Sequence, residues 1–165
     1  MSDLYFEQLV AKKKTGKDTA IKAGLIVLTV LVAAAGLVIP LCFILAIALA
    51  EAEYFIIPSL NVEYDYLYVN GEMDITKVTA QSRRKKVMTL NVQQLELMAP
   101  VNSHRMDYYN NSKMPVYDFS SGDQSHKIYA MIIPVEQKQS KVLVELDPDM
   151  YENISKYVPR RVFND

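Results

Sequence analysis

The feature that most constrains this chain is an apolar run from Ala23 to Ala50 that contains no charged residue. A membrane-spanning helix needs about 20 consecutive apolar residues, and longer runs are not typical of the core of a soluble domain. Apolar residues resume after Glu51 and Glu53 and continue to Leu60. The sequence therefore predicts a membrane protein with a transmembrane region over residues 21–60.

The segments on either side of the apolar run differ in length and charge. Residues 1–20 are predicted to be a basic N-terminal segment on the cytoplasmic side. The run exceeds the about 7–15 apolar residues of a secretory signal, so we interpret it as a retained anchor. Residues 61–165 are numerous enough for one small domain with its own core. The net charge of −1 gives no reason to expect nucleic acid as a partner.

The apolar run is consistent with one membrane crossing or two. As one straight helix it would measure about 42 Å, against a hydrocarbon layer of about 30 Å. Two crossings would use residues 21–39 and 41–58 and reverse near residues 36–40, because Pro40 interrupts the hydrogen-bond ladder of a helix. This hairpin places Glu51 near the middle of the bilayer, at a cost of about 2.5 kcal/mol or more for an unpaired charge.

The flanking charges favour one crossing, since basic residues concentrate on the cytoplasmic side of a membrane. The C-terminal flank up to residue 82 carries only Lys77. The apolar segment that resumes before Leu60 favours two crossings instead, so the residues alone leave both topologies open. The N-terminal flank carries Lys12, Lys13, Lys14, Lys17 and Lys22.

After Val62 the sequence changes to a β pattern. Residues 62–69 alternate and are rich in Tyr and Val, which is typical of a strand. Asn70 and Gly71 follow, and this pair favours a two-residue hairpin turn because both central positions need a positive φ. Residues 72–78 are predicted to be the returning strand. Further strands are expected around residues 86–91, 116–119, 127–135 and 141–146, with a polar loop over 99–115. Residues 92–98 are expected to form another strand or a turn that leads into one.

The last element has a helical pattern. Asp147 or Asp149 can cap the N-terminus of a helix that has Pro148 in its first position, and Pro159 ends it. Met150, Ile154 and Tyr157 lie on one face of this helix. The sequence thus predicts an antiparallel β domain of six or seven strands, closed by a C-terminal helix.

Four segments together resemble bacterial pleckstrin-homology-like (PH-like) domains that follow a membrane hairpin. They are VEYDYLYVNGEMDI, RRKKVMTL, NVQQLELM and DPDMYENISKYVPRRV. The chain looks especially similar to a family of uncharacterised Firmicutes membrane proteins, through YVNGEMDI and PRRVF. The resemblance covers nearly the whole chain and implies a transmembrane hairpin, an α+β fold and a cytoplasmic domain over residues 61–165. It implies no activity, and Glu51 and Glu53 depart from it.

One dense basic cluster is the candidate binding site. Next to a bilayer, each basic residue contributes about 1 kcal/mol of attraction to anionic lipid, so the cluster predicts contact with lipid head groups. A solvated turn beside the membrane explains the same residues without any ligand. The cluster consists of Arg83, Arg84, Lys85 and Lys86.

The sequence contains no nucleophile–base pair, metal-ligand set or phosphate-binding loop, so we expect no enzyme and no cofactor. The leading prediction is a non-catalytic binding or scaffold module, held at the cytoplasmic face of the cell membrane. Its expected partners are the bilayer itself, anionic head groups or a membrane protein. The alternative is a single-pass envelope protein whose β domain faces outward, for structure or sensing.

Overall fold

The computed structural model of the chain describes residues 5–80 and 82–165. Two apolar helices, α1 (Gly16–Gly36) and α2 (Leu41–Ser59), form a hairpin. The Asp18 carboxylate accepts a hydrogen bond from the Thr15 N–H (3.0 Å), which satisfies a donor at the start of α1. The chain reverses between Gly36 and Leu41, within the range that the sequence predicts.

Gly36 allows the two helices to meet closely at this reversal. A Cβ atom added to Gly36 would lie 2.9 Å from the Phe43 ring, so a larger residue would push the helices apart. By length and composition, both helices are able to cross a membrane. Each buries a single residue, Gly36 in α1 and Ala46 in α2. The apolar side chains of the hairpin therefore face outward, unlike those of a helix in a soluble core.

The first sheet is an antiparallel meander of four strands. They are β1 (Tyr5–Ala11), β2 (Val62–Val69), β3 (Glu72–Thr79) and β4 (Arg83–Asn91), in the order β1-β2-β3-β4. The predicted turn between β2 and β3 is confirmed, with φ of 49° at Asn70 and 91° at Gly71. The alternate tyrosines of β2 all face the core, as expected for this pattern. They are Tyr64, Tyr66 and Tyr68.

The second sheet contains β5 (Leu97–Pro100), β6 (Val116–Asp118), β7 (Ile128–Val135) and β8 (Lys138–Glu145), in the order β5-β7-β8-β6. All its pairings are antiparallel except that of β6 with β8. Residues 99–115 were predicted to be a polar loop, but residues 99 and 100 belong to β5. The segment between β5 and β6 contains a 3₁₀ turn (His104–Met106) and a short helix, α3 (Asp107–Asn110).

The closing helix, α4 (Pro148–Tyr157), begins as the sequence predicts. The Asp147 carboxylate accepts a hydrogen bond from the Met150 N–H (2.8 Å). Met150 and Ile154 are fully buried against the two sheets, and the Tyr157 side chain is partly exposed. Other fully buried side chains of the domain include Met73, Ile75, Leu90, Met98, Met131 and Ile133.

The predicted fold is confirmed: an N-terminal helical hairpin, an antiparallel β domain and a C-terminal helix. The described part of the chain contains eight strands, where six or seven were predicted, because β1 was not foreseen. Residues 5–11 belong to the β domain, and α1 already begins at Gly16. This division differs from the predicted one, which separated residues 1–20 from the domain. Only Val10 of β1 is buried, while Gln8 lies on the same side and Leu9 is exposed, so the strand lacks a clear apolar–polar alternation.

Candidate membrane-facing surface

The start of α1 and the end of α2 are both connected to the same end of the first sheet. Ala11, the last residue of β1, pairs with Glu63 at the start of β2. The Lys12 N–H donates a hydrogen bond to the Val62 carbonyl (2.9 Å), which keeps the strands together up to the helices. The turn between β3 and β4 lies there too, because the Ala80 N–H donates to the Asn61 carbonyl (3.3 Å). We call this end of the first sheet the hairpin end.

The lysines before α1 collect at the hairpin end, beside a loop of the second sheet. The Lys13 N–H donates to the Ser121 carbonyl (2.8 Å), and the Lys13 ammonium lies 3.1 Å from the Asp123 carboxylate. Residues 12–15 and residues 121–124 together line an open cavity of about 370 Å³. Hydrogen bonds from the Ser125 N–H and hydroxyl, and then the Lys13 ammonium, lower the pKa of Asp123 to about 2. The carboxylate thus stays charged and bound at neutral pH.

The predicted basic cluster lies in the first half of β4 and not in the preceding turn. The β structure begins at Arg83 because β4 pairs with β3 as far as Thr79. All four side chains are exposed. Since Arg83 stands opposite Thr79, the cluster starts at the hairpin end and extends along the edge strand away from it.

Two members of this cluster are held by carboxylates of β2 and β3. Arg84 lies 3.3 Å from Asp65, and Lys86 lies 2.7 Å from Asp74. Partial burial raises the pKa of Asp74, but hydrogen bonds from Lys86 and Thr89 outweigh it and the net pKa is lowered. Within residues 5–80 and 82–165, Arg83 and Lys85 take part in no ion pair. These two are the members best placed to contact an external anion.

Asp65 differs from the other acids of the first sheet because its side chain is almost fully buried. Its Oδ2 faces Arg84, and its Oδ1 has no hydrogen-bond donor among the described residues. Burial, then the nearby Glu7 carboxylate, raises the pKa of Asp65 against the opposing effect of Arg84. The pairing of Arg84 thus compensates a buried acid, which favours a structural role for this arginine.

A second cavity, of about 440 Å³, lies between β1 and the end of β8. The Ser121 hydroxyl donates to the Glu145 carboxylate (2.5 Å), and the His126 Nδ1 lies 3.4 Å from the same oxygen. Sequence reasoning did not single out Glu145, because nothing in the sequence brings it next to Ser121. The Glu145 carboxylate thus connects the loop that contains Ser121 and His126 to the end of β8.

Comparison with known proteins identifies the family of this chain. The family model described as "Bacterial PH-like domain (DUF6106)" matches residues 2–164. The chain belongs to this family. The match confirms the PH-like resemblance that the sequence predicts, and the family's pattern includes β1 and the hairpin as well as the β domain. No curated protein and no solved structure gives a significant match to this DUF6106 chain.

Proposed function

We propose that this DUF6106 protein is a non-catalytic binding or scaffold module, which a transmembrane hairpin presents at the cytoplasmic face of the cell membrane. The pairing of β1 with β2 is the observation that carries the proposal. β1 precedes the hairpin and β2 follows it. The two strands are paired along the whole length of β1. Both ends of the hairpin must therefore lie on one side of the membrane, which requires an even number of crossings.

The charge at the hairpin end supports the cytoplasmic side. Lys12, Lys13 and Lys14 stand directly before α1, and Lys17 and Lys22 lie in its first turns. Basic residues close to membrane-spanning segments favour retention in the cytoplasm. In the single-crossing alternative, β1 and β2 would lie on opposite sides of the membrane and could not pair. The outward-facing envelope protein therefore becomes the less favoured proposal.

Thiol labelling in intact cells tests the topology. In a Cys42→Ala background, one variant carries Val38→Cys at the hairpin reversal and another carries Asp165→Cys in the domain. A membrane-impermeant maleimide should label residue 38 in intact cells and residue 165 only after the cells are opened. Val38 and Asp165 are both exposed, so access is governed by the membrane.

The opposite results are equally informative. Labelling of residue 165 but not of residue 38 would place the domain outside with an inverted hairpin. Labelling of both would show that the helices do not span as a hairpin. Either result would overturn the cytoplasmic module.

We further propose that Arg83 and Lys85 contact anionic lipid head groups. Their place in the cluster that starts at the hairpin end supports this, since attraction to an anionic surface acts only within about a Debye length. A competing explanation is that charges on the edge strand β4 prevent sheets from pairing between molecules.

Amide hydrogen exchange of the full chain in lipid nanodiscs separates these explanations. Residues 83–87 should exchange more slowly in anionic than in neutral nanodiscs, and added salt should remove the difference. An Arg83→Gln/Lys85→Gln variant should lose it as well, whereas Lys138→Gln, at the start of the distant strand β8, should keep it. Equal exchange in both lipids, with aggregation of the double variant, would favour edge protection instead.

A further inference from the structure

The two carboxylates of α2 face in different directions. The residues of α2 that are at least partly buried against α1 recur every three or four positions, as expected for one helix face. Glu53 lies on that face, and its carboxylate accepts a hydrogen bond from the Thr29 hydroxyl of α1 (2.5 Å). Glu51 lies two residues earlier, about 200° around the helix, and points away from α1. The face toward α1 contains Cys42, Ala46, Leu49, Glu53 and Ile57.

Of the two carboxylates of α2, Glu51 is the one without a partner among the described residues. Its side chain is exposed, and within the described parts of the chain it has neither a side-chain hydrogen bond nor an ion pair. Eight residues separate it from Ser59, or about 12 Å along the helix. A membrane that contains α2 would thus hold Glu51 near the middle of its hydrocarbon layer, where ionisable residues without a function are rare.

The surroundings of Glu51 form a continuous apolar helix face. Ile44, Ile47 and Phe55 are each more than 60% exposed, and with Glu51 they recur at the spacing of a helix-packing seam. Ala48 lies on the same face and has a small side chain, which allows another helix to approach the backbone closely. This outer face of α2 therefore combines a helix-packing surface with one unpaired carboxylate at its centre.

We propose that the outer face of α2 binds the transmembrane helix of another protein, which places a Lys or Arg side chain against Glu51. This proposal depends on the transmembrane hairpin of the proposed function. It adds the kind of partner, a helix with a positively charged side chain that meets Glu51. A second copy of this chain does not supply the complementary group. Residues 23–59 contain no Lys, Arg or His, so a second copy would offer Glu51 no cationic side chain from this segment.

The test uses the full chain in neutral lipid vesicles, with a donor dye on Asp165→Cys in the Cys42→Ala background. The acceptor is on a designed Leu-rich transmembrane peptide that carries one Lys about 12 Å from its domain-side end. Energy transfer should show at least about fivefold tighter association with the Lys peptide than with the same peptide carrying Leu there. Glu51→Gln should reduce this preference to less than twofold. Glu53→Gln is the matched control and should keep it.

Three results would overturn the inference. The first is equal association of the Lys and Leu peptides with the unaltered chain. The second is a preference that Glu53→Gln removes and Glu51→Gln does not. The third is Glu51-dependent energy transfer between copies of the chain alone, which would assign the face to self-association. Thiol labelling of Val38→Cys reports separately whether the hairpin spans, so failure of the proposed function would be recognised independently.

Discussion

The hairpin and the PH-like domain expose their apolar residues in opposite ways. In the domain, large side chains such as Tyr66, Ile75 and Met131 are completely buried between the sheets and α4. In the hairpin, Leu31, Ile44 and Ile47 are each more than 60% exposed. Burial from water stabilises the domain, whereas the exposed apolar surface of the hairpin is suited to the apolar phase of a membrane. The comparison shows two regions of one chain with opposite apolar exposure, which meet at the hairpin end.

The largest effect is expected from removal of β1, which tests whether the domain is independent of the residues before the hairpin. A fragment of residues 62–165 loses the partner of β2 and the buried Val10. We expect a loss comparable to the roughly 5–15 kcal/mol total stability of a small domain, so the fragment should be unfolded or aggregated by circular dichroism.

A matched fragment sharpens this prediction. When residues 5–11 are joined to residues 62–165 by a short Gly-Ser linker in place of the hairpin, the fragment should fold, because β1 and β2 are adjacent and antiparallel. If the fragment without β1 were equally folded, β1 would be an accessory strand and the domain would be independent after all.

Identical truncations should have unequal effects in the two regions. Leu90 is fully buried in the domain, so Leu90→Ala should lower the free energy of unfolding by about 2–5 kcal/mol. Leu45 is exposed on the hairpin, and Leu45→Ala should leave the unfolding of the domain unchanged. Denaturation of the purified protein in detergent, followed by tyrosine fluorescence, measures both. Equal losses would mean that the hairpin and the domain unfold as one unit.

Glycines should show the same contrast with a smaller effect. Gly71 has a positive φ, and a Cβ there would lie 2.5 Å from the Tyr157 ring, so Gly71→Val should cost about 1–3 kcal/mol. Gly24→Ala in α1 has open space around it and should be neutral for the domain. The melting temperatures of the two variants check this. An unchanged value for Gly71→Val would contradict the observed turn.

The smallest effect concerns the ion pair between Lys13 and Asp123, which connects the two regions. The pKa of Asp123 is lowered to about 2 from its ordinary 3.8. Its contribution to stability is therefore present above about pH 4 and is lost as the pH falls towards about 2. Asp123→Asn should be slightly less stable than the unaltered chain at pH 7, and this difference should become small near pH 2, where the carboxyl is about half protonated. A difference that is the same at both pH values would have another cause.

Sequence patterns predicted those elements whose signals are local. Asn70-Gly71 predicted a turn, Asp147-Pro148 predicted the start of a helix, and the uncharged run predicted the apolar transmembrane region. The hairpin itself followed from the family resemblance, because the residues alone left one or two crossings open. The turn between the strands expected around residues 127–135 and 141–146 is shorter than predicted, because Glu136 and Gln137 both adopt positive φ without the usual Asn or Gly. β1 was missed because its partner lies more than 50 residues away, beyond the hairpin, and only one of its side chains enters the core.

The candidate surface was predictable only in part, for a related reason. A run such as RRKK shows where charge is dense, but it does not show which charges the fold itself neutralises. The carboxylates that hold Arg84 and Lys86 belong to β2 and β3, and strand register decides which of them come close. The same limit applies to Glu51 and Glu53, whose different environments depend on which side of α2 meets α1.

The position of β1 also has a consequence for how the protein is made. The ribosome synthesises β1 first and the hairpin next, and the strand that pairs with β1 emerges only after both helices have been completed. The first sheet therefore cannot close until the hairpin has folded back and returned the chain to its starting side. In the proposed topology, membrane insertion thus precedes completion of the domain, and a chain that fails to insert presents an unfinished sheet edge to chaperones and proteases.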